Sequence, residues 1–238
     1  MMLVRLGNFL FHWRNFLFPV PFLLLLVPGQ ALYADPVCAA LVGGAIALLG
    51  QLVRAGTIGF KYIIRGGKDR RVYAEDLITE GIYSHTRNPM YVGNVLILSG
   101  VGFAVNTWTC WLLATALGVF VYVAIIAAEE NFLRGKFGPG FDDYCRDVPR
   151  WLPRLSGLGK TLSSGTFKWR RVIVKEYGTP FGWVVGICAV LLWNLSRLEG
   201  GLVRHMADAT TVGLVFVVAL ALYTLARTLK KMRILVAD

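Results

Sequence analysis

The chain has few acidic residues and few charged residues of any kind. Of its 238 residues only 14 are Asp or Glu, and Asp, Glu, Lys and Arg together make up 16% of the sequence. Hydrophobic residues make up 56%, and the mean hydropathy is +0.58. A chain of this length and composition is too apolar for a soluble domain. We therefore predict an all-α, polytopic integral membrane protein.

The sequence also lacks the patterns of several common sites. Its four cysteines are scattered, with no Cys-x-x-Cys pair and no His-x-x-x-His companion, so neither a disulfide framework nor a metal site is indicated. Gly159-Lys160-Thr161 resembles the end of a phosphate-binding loop, but Arg154 stands where that loop needs glycine. The chemistry is therefore expected from other residues.

Six apolar segments are long enough, or nearly so, to cross a bilayer. They are residues 16–33, 37–53, 91–105, 109–128, 181–195 and 211–226. The third and fifth are short, so the count could fall to five or four. The first follows two arginines as a signal peptide would, but we expect it to remain as a span because Leu32 occupies a position where cleavage prefers a small residue.

The basic residues predict the orientation of these spans. If the N-terminus is cytoplasmic, 23 of the 25 Lys and Arg residues lie on the cytoplasmic side, which leaves Arg197 and Arg204 outside. This is the positive-inside pattern. Topology and attraction to anionic lipid thus account for the net charge of +11, and nucleic-acid binding is not expected. We place the protein in a bacterial inner membrane or the endoplasmic reticulum, with loops 54–90 and 129–179 in the cytoplasm.

Three stretches of the chain differ in character. Residues 1–53 form an N-terminal transmembrane hairpin, in which Gly43, Gly44 and Ala47 predict a close helix–helix contact. Residues 54–155 hold nearly all the polar residues that could do chemistry. Residues 156–238 contain a basic connector and two further spans. The functional site is therefore expected between residues 54 and 155.

A first motif, residues 81–93, lies just before the third span and reads Gly-Ile-Tyr-Ser-His-Thr-Arg-Asn-Pro-Met-Tyr-Val-Gly. Pro89 disfavours helix at Asn88 and fits the first turn of the helix that follows. The helix N-terminus would offer N–H groups and a positive dipole end at the membrane surface. Gly93 would let a flat or bulky ligand approach the backbone.

The first motif also has a purely structural interpretation. Arg87 would then be a snorkelling side chain and Tyr91 part of an aromatic belt at the interface. His85 by itself is expected to be a surface histidine.

A second motif, residues 129–138, puts two glutamates at the end of the fourth span. A carboxylate at the rim of a bilayer is costly, and such residues are usually kept for function. Glu130 and Arg134 are four residues apart and predict an ordinary surface pair. Glu129 has no such partner, so we expect it to face a ligand. A third motif, residues 148–153, reads Val-Pro-Arg-Trp-Leu-Pro.

Together the three motifs resemble the core of the isoprenylcysteine carboxyl methyltransferase and phospholipid methyltransferase family. The shared patterns are Gly-x-Tyr-x-x-x-Arg-Asn-Pro-x-Tyr-x-Gly, Glu-Glu-x-x-Leu-x-x-x-Phe-Gly and Val-Pro-Arg-Trp-Leu-Pro, over residues 81–155. The family consists of membrane-embedded enzymes that use S-adenosylmethionine. The chain departs from the family pattern at Asn88, where histidine is commoner, and at Phe141, where tyrosine is.

The resemblance implies a role for each matching residue. The cofactor-binding residues would be Tyr83, Arg87, Asn88, Pro89, Tyr91, Gly93, Glu129 and Glu130. The catalytic residues would be Arg87, Glu130 and Arg150, and the substrate-binding residues Tyr144, Arg150 and Trp151. An arginine could pair with the cofactor's carboxylate, and Glu129 could bind its ribose hydroxyls or amino group. Glu130 would serve as the base for an amine acceptor, whereas a carboxylate acceptor needs none.

The sequence thus predicts S-adenosylmethionine-dependent methyl transfer to a lipophilic acceptor in the bilayer, such as isoprenylcysteine carboxylate or a lipid. One alternative is an NADPH-dependent membrane sterol or lipid reductase, which shares the acidic helix and the Tyr/Arg/Pro segment. The other is a membrane scaffold in which Glu129 and Arg150 form a structural pair. The Arg-Asn-Pro-Met-Tyr form of the first motif favours the methyltransferase.

Overall fold

The fold is built from helices, as the composition predicts. A computed structural model describes residues 2–17, 27, 29–61 and 73–237, and this part of the chain contains no β-strand. The helices are α1 (Met2–Leu17), α2 (Pro36–Phe60), α3 (Pro89–Ala104), α4 (Trp108–Phe137), α5 (Pro139–Asp147), α6 (Leu158–Ser164), α7 (Trp169–Glu176), α8 (Gly178–Ser196), α9 (Gly201–Arg204) and α10 (Met206–Lys231). A 3-10 turn, Gly81–Ser84, precedes α3.

Four of these helices are long and apolar enough to cross a membrane: α2, α4, α8 and α10. They confirm the second, fourth, fifth and sixth predicted spans. The third predicted span is the 16-residue helix α3, which is about 24 Å long and therefore short for a bilayer. The chain is thus a polytopic helical membrane protein.

The first predicted span, residues 16–33, lies largely outside the described residues. Helix α1 begins at Met2, well before the predicted start, and packs on the second half of α4. A Cβ atom at Gly7 would overlap the carbonyl of Ala124, and Leu10 and Phe11 share a buried cluster with Ala124. Further along, the backbone N–H of Leu32 donates to the carbonyl oxygen of Asn106 at 3.1 Å, beside the start of α4. The described residues before α2 therefore contact both ends of α4.

Small residues bring α2 and α3 into close contact. A Cβ atom at Gly43 would overlap the carbonyl oxygen of Gly100, and one at Gly100 would lie 2.6 Å from the nitrogen of Ala47. The predicted contact is thus confirmed for Gly43 and Ala47. Gly44 has nothing within 4 Å of its Cβ position, so it does not take part. Backbones without side chains between them gain van der Waals contact that lipid cannot supply.

A buried polar network joins α2, α3 and α7. Glu176, at the end of α7, accepts from Arg54 Nε at 2.9 Å and Nη2 at 2.5 Å, and from Gln51 Nε2 at 3.1 Å. Arg54 also donates from Nη1 to Asn94 of α3. The side chains of Arg54 and Glu176 are almost fully buried. This network was not predicted, because its members lie outside the three motifs or far apart in sequence.

Candidate functional site

The first motif forms a turn that leads into α3. Gly81 has φ +65°, a left-handed value that glycine adopts without strain, and the 3-10 turn follows. Asn88 is the N-cap of α3 and Pro89 occupies its first turn, which confirms the predicted helix start. Pro89 is fully buried in this turn. The motif therefore places Arg87 and Asn88 just outside the helix.

Gly93 does not face a pocket. A Cβ atom there would lie 2.5 Å from Cγ of Arg54 and 2.7 Å from the carbonyl oxygen of Gly50. The prediction that Gly93 lets a ligand approach the backbone is wrong, because α2 occupies that side of α3. Glycine is needed here for helix packing instead.

The two glutamates of the second motif are both buried, with 2% of Glu129 and 7% of Glu130 exposed. The hydroxyl of Tyr91 donates to Oε1 of Glu129 at 2.5 Å. The ring of Tyr91 also packs on Tyr122 of α4, with 5.1 Å between ring centroids. Tyr91 thus links the start of α3 to the end of α4.

Glu130 is bound by two arginines from the other motifs. Arg87 Nη1 lies 3.1 Å from its Oε1, and Arg150 approaches the same oxygen with Nε at 3.0 Å and the other oxygen with Nη2. The expected pair between Glu130 and Arg134 is wrong, because Arg134 pairs with Asp142 at 2.7 Å. Glu130 is therefore the point where all three motifs meet.

The third motif lies across the first as a strap and is held through its backbone. The carbonyl oxygen of Pro149 accepts from the backbone N–H of Arg87 at 3.0 Å. The carbonyl of Arg150 accepts from Asn88 Nδ2 at 3.0 Å, and that of Trp151 from the hydroxyl of Thr86 at 3.0 Å. The side-chain amide of Asn88 thus supplies a donor to the strap, which is a task that a histidine donor could also perform.

Helix α5 covers the other side of the site. The hydroxyl of Tyr144 donates to the carbonyl oxygen of Tyr83 at 2.7 Å, and both side chains are buried. Phe141 is fully buried in a cluster with Leu133 and Tyr144, so a phenolic hydroxyl is not required at that position for packing. Tyr144 thereby fixes α5 against the first motif.

A small cavity lies between these elements. It has a volume of about 10 Å³, room for about one water molecule, and its lining residues are Arg87, Asn88, Glu129, Glu130, Leu133, Phe141 and Tyr144. Four predicted cofactor-binding residues and one predicted substrate-binding residue therefore share one cavity.

Four other predicted site residues lie near that lining, whereas Gly93 faces α2. Tyr91 and Arg150 contact its glutamates, and Tyr83 and Trp151 contribute backbone carbonyls. Leu133 is a lining residue that was not predicted. Its position one helical turn after Glu129 was the available signal.

Two further side chains near the site have informative surroundings. Burial raises the pKa of the Cys145 thiol, while the Arg87 guanidinium that contacts its sulfur acts in the opposite direction. His85 is buried, with Nδ1 2.8 Å from the carbonyl oxygen of Arg154 and Nε2 2.9 Å from the hydroxyl of Thr161. The expectation of a surface histidine is wrong, because His85 is buried and binds residues that follow the strap in the chain.

The sequence model of the phospholipid methyltransferase family matches residues 39–140, which include the first two motifs. The resemblance inferred from the motifs is thus confirmed for that part of the chain. No solved structure matches the chain significantly.

Three curated relatives are similar to parts of the chain. The nickel-cobalt-cadmium resistance protein NccN of Alcaligenes xylosoxydans xylosoxydans is 32% identical over 136 residues, which is 56% of this chain and 60% of that protein. The cobalt-zinc-cadmium resistance protein CzcN of Cupriavidus metallidurans is 36% identical over 80 residues, or 34% of this chain and 37% of its own length. Protein-S-isoprenylcysteine O-methyltransferase of Schizosaccharomyces pombe is 26% identical over 112 residues, or 45% of this chain and 46% of its own.

The aligned part of the chain thus spans between 37% and 60% of the length of these relatives. The family match and the yeast relative support methyl transfer at a membrane.

Proposed function

We propose that the protein transfers a methyl group from S-adenosylmethionine to a lipophilic acceptor in the bilayer. The observation that carries this proposal is the convergence of three separate motifs on one cavity, where the buried Glu130 carboxylate binds both Arg87 and Arg150. Buried charges of this kind are costly and mark functional sites.

The residues around the cavity fit the charges of the cofactor. Its amino-acid end carries a carboxylate that Arg87 or Arg150 would bind, and Glu129 would hold the ribose hydroxyls or the amino group. The cofactor supplies a methyl group on a positively charged sulfur. Leu133 and Phe141 make one wall apolar, and a poorly solvating wall favours a reaction in which that charge disappears.

At about 10 Å³ the cavity is far smaller than the roughly 300–1,000 Å³ of typical ligand sites. It therefore has to widen before a ligand of the cofactor's size enters. Arg150 is the group best placed to allow this, since 43% of its side chain is exposed while Glu130 beneath it is buried. We infer that the Arg150 side chain leaves Glu130 and binds the ligand when the strap moves.

The geometry at Glu130 bears on the type of acceptor. In the closed site both of its carboxylate oxygens accept from guanidinium groups, and Arg87 still contacts Oε1 after Arg150 has left, so Glu130 is poorly placed to take a proton. This argues against the predicted role of Glu130 as a base for an amine. An acceptor that needs no deprotonation, such as the carboxylate of a prenylated cysteine, suits the site better.

The acceptor is proposed to arrive from the membrane. The cavity lies at the end of α4 directly after its apolar stretch, whose outward side chains include Leu113, Leu117 and Phe120. The positive-inside pattern supports a cytoplasmic location for this end of α4. A lipophilic acceptor would thus enter sideways and the cofactor from the cytoplasm.

Methyl-labelled S-adenosylmethionine tests this function directly. Purified protein in lipid is incubated with the label and either a total lipid extract or an S-prenylated cysteine, and the product is treated with base. A methyl ester releases volatile labelled methanol, whereas an N-methyl product does not. The Glu129→Gln and Glu130→Gln variants serve as controls. Stabilisation of the protein by NADPH and not by S-adenosylmethionine would contradict the proposal and favour the reductase.

A second candidate function comes from the names of two relatives, which refer to resistance to metal ions. Among residues 2–17, 27, 29–61 and 73–237 there is no group of three or more His, Cys, Asp or Glu side chains that could hold an ion. We therefore infer that a part in resistance would act through a methylated product. Growth of a strain carrying the Glu130→Gln variant on nickel, cobalt or cadmium salts tests this.

A further inference from the structure

The connector between the site and α8 is uniformly basic. Residues 151–175 contain no Asp or Glu and six basic residues, which are Arg154, Lys160, Lys168, Arg170, Arg171 and Lys175. Of these, Arg154, Lys160, Arg170 and Lys175 are exposed. No acidic residue of the connector itself offsets this charge, so its surface is suited to an anionic partner.

The same connector exposes large apolar side chains. Leu152 is 82% exposed, Leu155 75% and Trp169 70%. Ile173 is also exposed, and it lies one helical turn after Trp169, so the two form an apolar ridge on α7. Arg170 flanks this ridge. Apolar ridges with flanking basic residues are typical of helices that lie in the headgroup region of a membrane.

Contacts with α2 place this ridge at the membrane boundary. The backbone N–H of Lys168 donates to the carbonyl oxygen of Gly59 at 3.0 Å, and the ring of Phe167 packs on Phe60 at 5.1 Å between centroids. Trp169 packs on Phe167 in turn, at 4.3 Å. Phe60 is the last residue of the spanning helix α2, and α8 begins directly after α7. Helix α7 thus lies between the ends of two spans, at the level where tryptophan anchors are common.

The connector is also fastened to the candidate site. Its residues Arg154 and Thr161 hold both ring nitrogens of His85, and the N–H of Arg154 donates to the carbonyl oxygen of His85 at 3.0 Å. The strap with Arg150 precedes it directly in the chain. A ligand held by the connector would therefore lie beside the moving part of the cavity.

We propose that residues 151–175 form a docking surface for the anionic headgroups of the bilayer, with Trp169 and Ile173 inserted among the lipids and Arg170 and Lys175 bound to phosphates. Location at the ends of two spans favours lipid over nucleic acid, because a soluble polyanion would not account for the exposed apolar ridge. Phosphates bound by several basic residues are attracted strongly at low salt and weakly at high salt.

Fluorescence quenching by brominated lipids tests this surface without reference to methyl transfer. The protein is placed in phosphatidylcholine vesicles that contain brominated phosphatidylcholine or, at the same mole fraction, brominated phosphatidylglycerol. Subtracting the fluorescence of the Trp169→Phe variant from that of the wild type gives the fluorescence of Trp169 alone. We expect brominated phosphatidylglycerol to quench Trp169 more strongly, and the excess to disappear at high salt.

Matched variants identify the residues that select the lipid. In the double variant with Arg170→Gln and Lys175→Gln, the two brominated lipids should quench the fluorescence of Trp169 equally. Arg146→Gln is the control, because Arg146 is an exposed arginine of α5 outside the connector and should leave the preference unchanged. Equal quenching of wild-type Trp169 by the two lipids would overturn the proposal. Quenching by acrylamide but by neither lipid, or competition by RNA, would overturn it too.

Discussion

Glu129 and Glu130 are neighbours in sequence but have separate partners. Consecutive residues of an α-helix point about 100° apart, so the two carboxylates face different neighbours. Glu129 accepts from Tyr91, and Glu130 binds Arg87 and Arg150. A change at one glutamate should therefore affect a different step from a change at the other.

Tyr91→Phe removes the hydroxyl that donates to Glu129 and keeps the ring against Tyr122. This hydrogen bond fixes Glu129 and is worth about 1.5–3 kcal/mol, so we expect S-adenosylmethionine to bind more weakly, by up to roughly 100-fold. Calorimetric titration measures this. Tyr33→Phe, at the opposite end of α4, is the control and should bind normally. An unchanged affinity for Tyr91→Phe would show that Glu129 does not contact the cofactor.

Arg150→Ala removes one of the two cations on Glu130 and leaves Arg87 in place. If Arg150 aligns the acceptor, the variant should lose far more turnover than cofactor affinity. Arg150→Lys should restore part of the charge but not the two-point contact, and so recover only part of the activity. Single-turnover assays with parallel cofactor titrations separate the two quantities. Equal losses in both would mean that Arg150 binds the cofactor instead.

Individual residues show what the sequence could and could not predict. The start of α3 at Pro89 follows from local sterics, and the structure confirms it. The partner of Glu130 does not follow from local spacing, since Arg134 at i+4 competes with arginines that only the folded chain brings near. The direction of Gly93 likewise depends on where α2 packs.

At the scale of secondary-structure elements, helix α5 and the strap cover the cavity. Helix α5 is held by Tyr144 on one side and by the pair of Arg134 with Asp142 on the other. The long apolar helices were predictable because their composition specifies them, but α2 and α4 extend seven and nine residues past the predicted spans, since each extension begins with a charged residue. The short helices α5, α6 and α7 were not predicted, since short segments in polar connectors form only through tertiary contacts.

Cys145 reports on the closure of α5. Its raised pKa means that less thiolate is present at a given pH, so alkylation at pH 8 should be slow and should accelerate above pH 9. The unfolded chain loses this proton first, so the thiol's contribution to stability declines as pH rises through the ordinary value of 9.0. Mass spectrometry of the alkylated protein, with the exposed Cys38 as reference, measures the rates. A Cys145 rate equal to that of Cys38 at pH 8 would contradict the closed arrangement.

At the scale of the molecule, Glu176 and Arg54 connect the C-terminal helices to the core matched by the family model. Breaking a buried ion pair by removing one partner typically costs about 3–5 kcal/mol. Glu176→Gln should therefore clearly lower the melting temperature of the detergent-solubilised protein. Glu80→Gln, which removes an exposed partner of Lys61, should leave it nearly unchanged. Similar melting temperatures for the two variants would show that the network does not hold the parts together.

The orientation in the membrane is testable on the whole chain. In a background without native cysteines, Ser163→Cys should be protected from an impermeant external reagent, while Glu199→Cys should be labelled, because both positions are exposed and lie on opposite sides in the positive-inside topology. Labelling is followed in intact cells. External labelling of Ser163→Cys would invert the topology.

The glycine contacts between α2 and α3 determine which wall of the cavity can move. The two helices touch at two heights, Gly43 with Gly100 and Gly50 with Gly93. Two helices in such close contact move as one rigid body, because neither can slide past the other without a clash between their backbones. The α2–α3 pair carries Tyr91, so changes in bilayer thickness or fluidity should leave the position of Tyr91 relative to α2 unchanged. Such changes would act on the strap and α5, and the protein's response to its membrane would therefore be a change in how often the cavity opens.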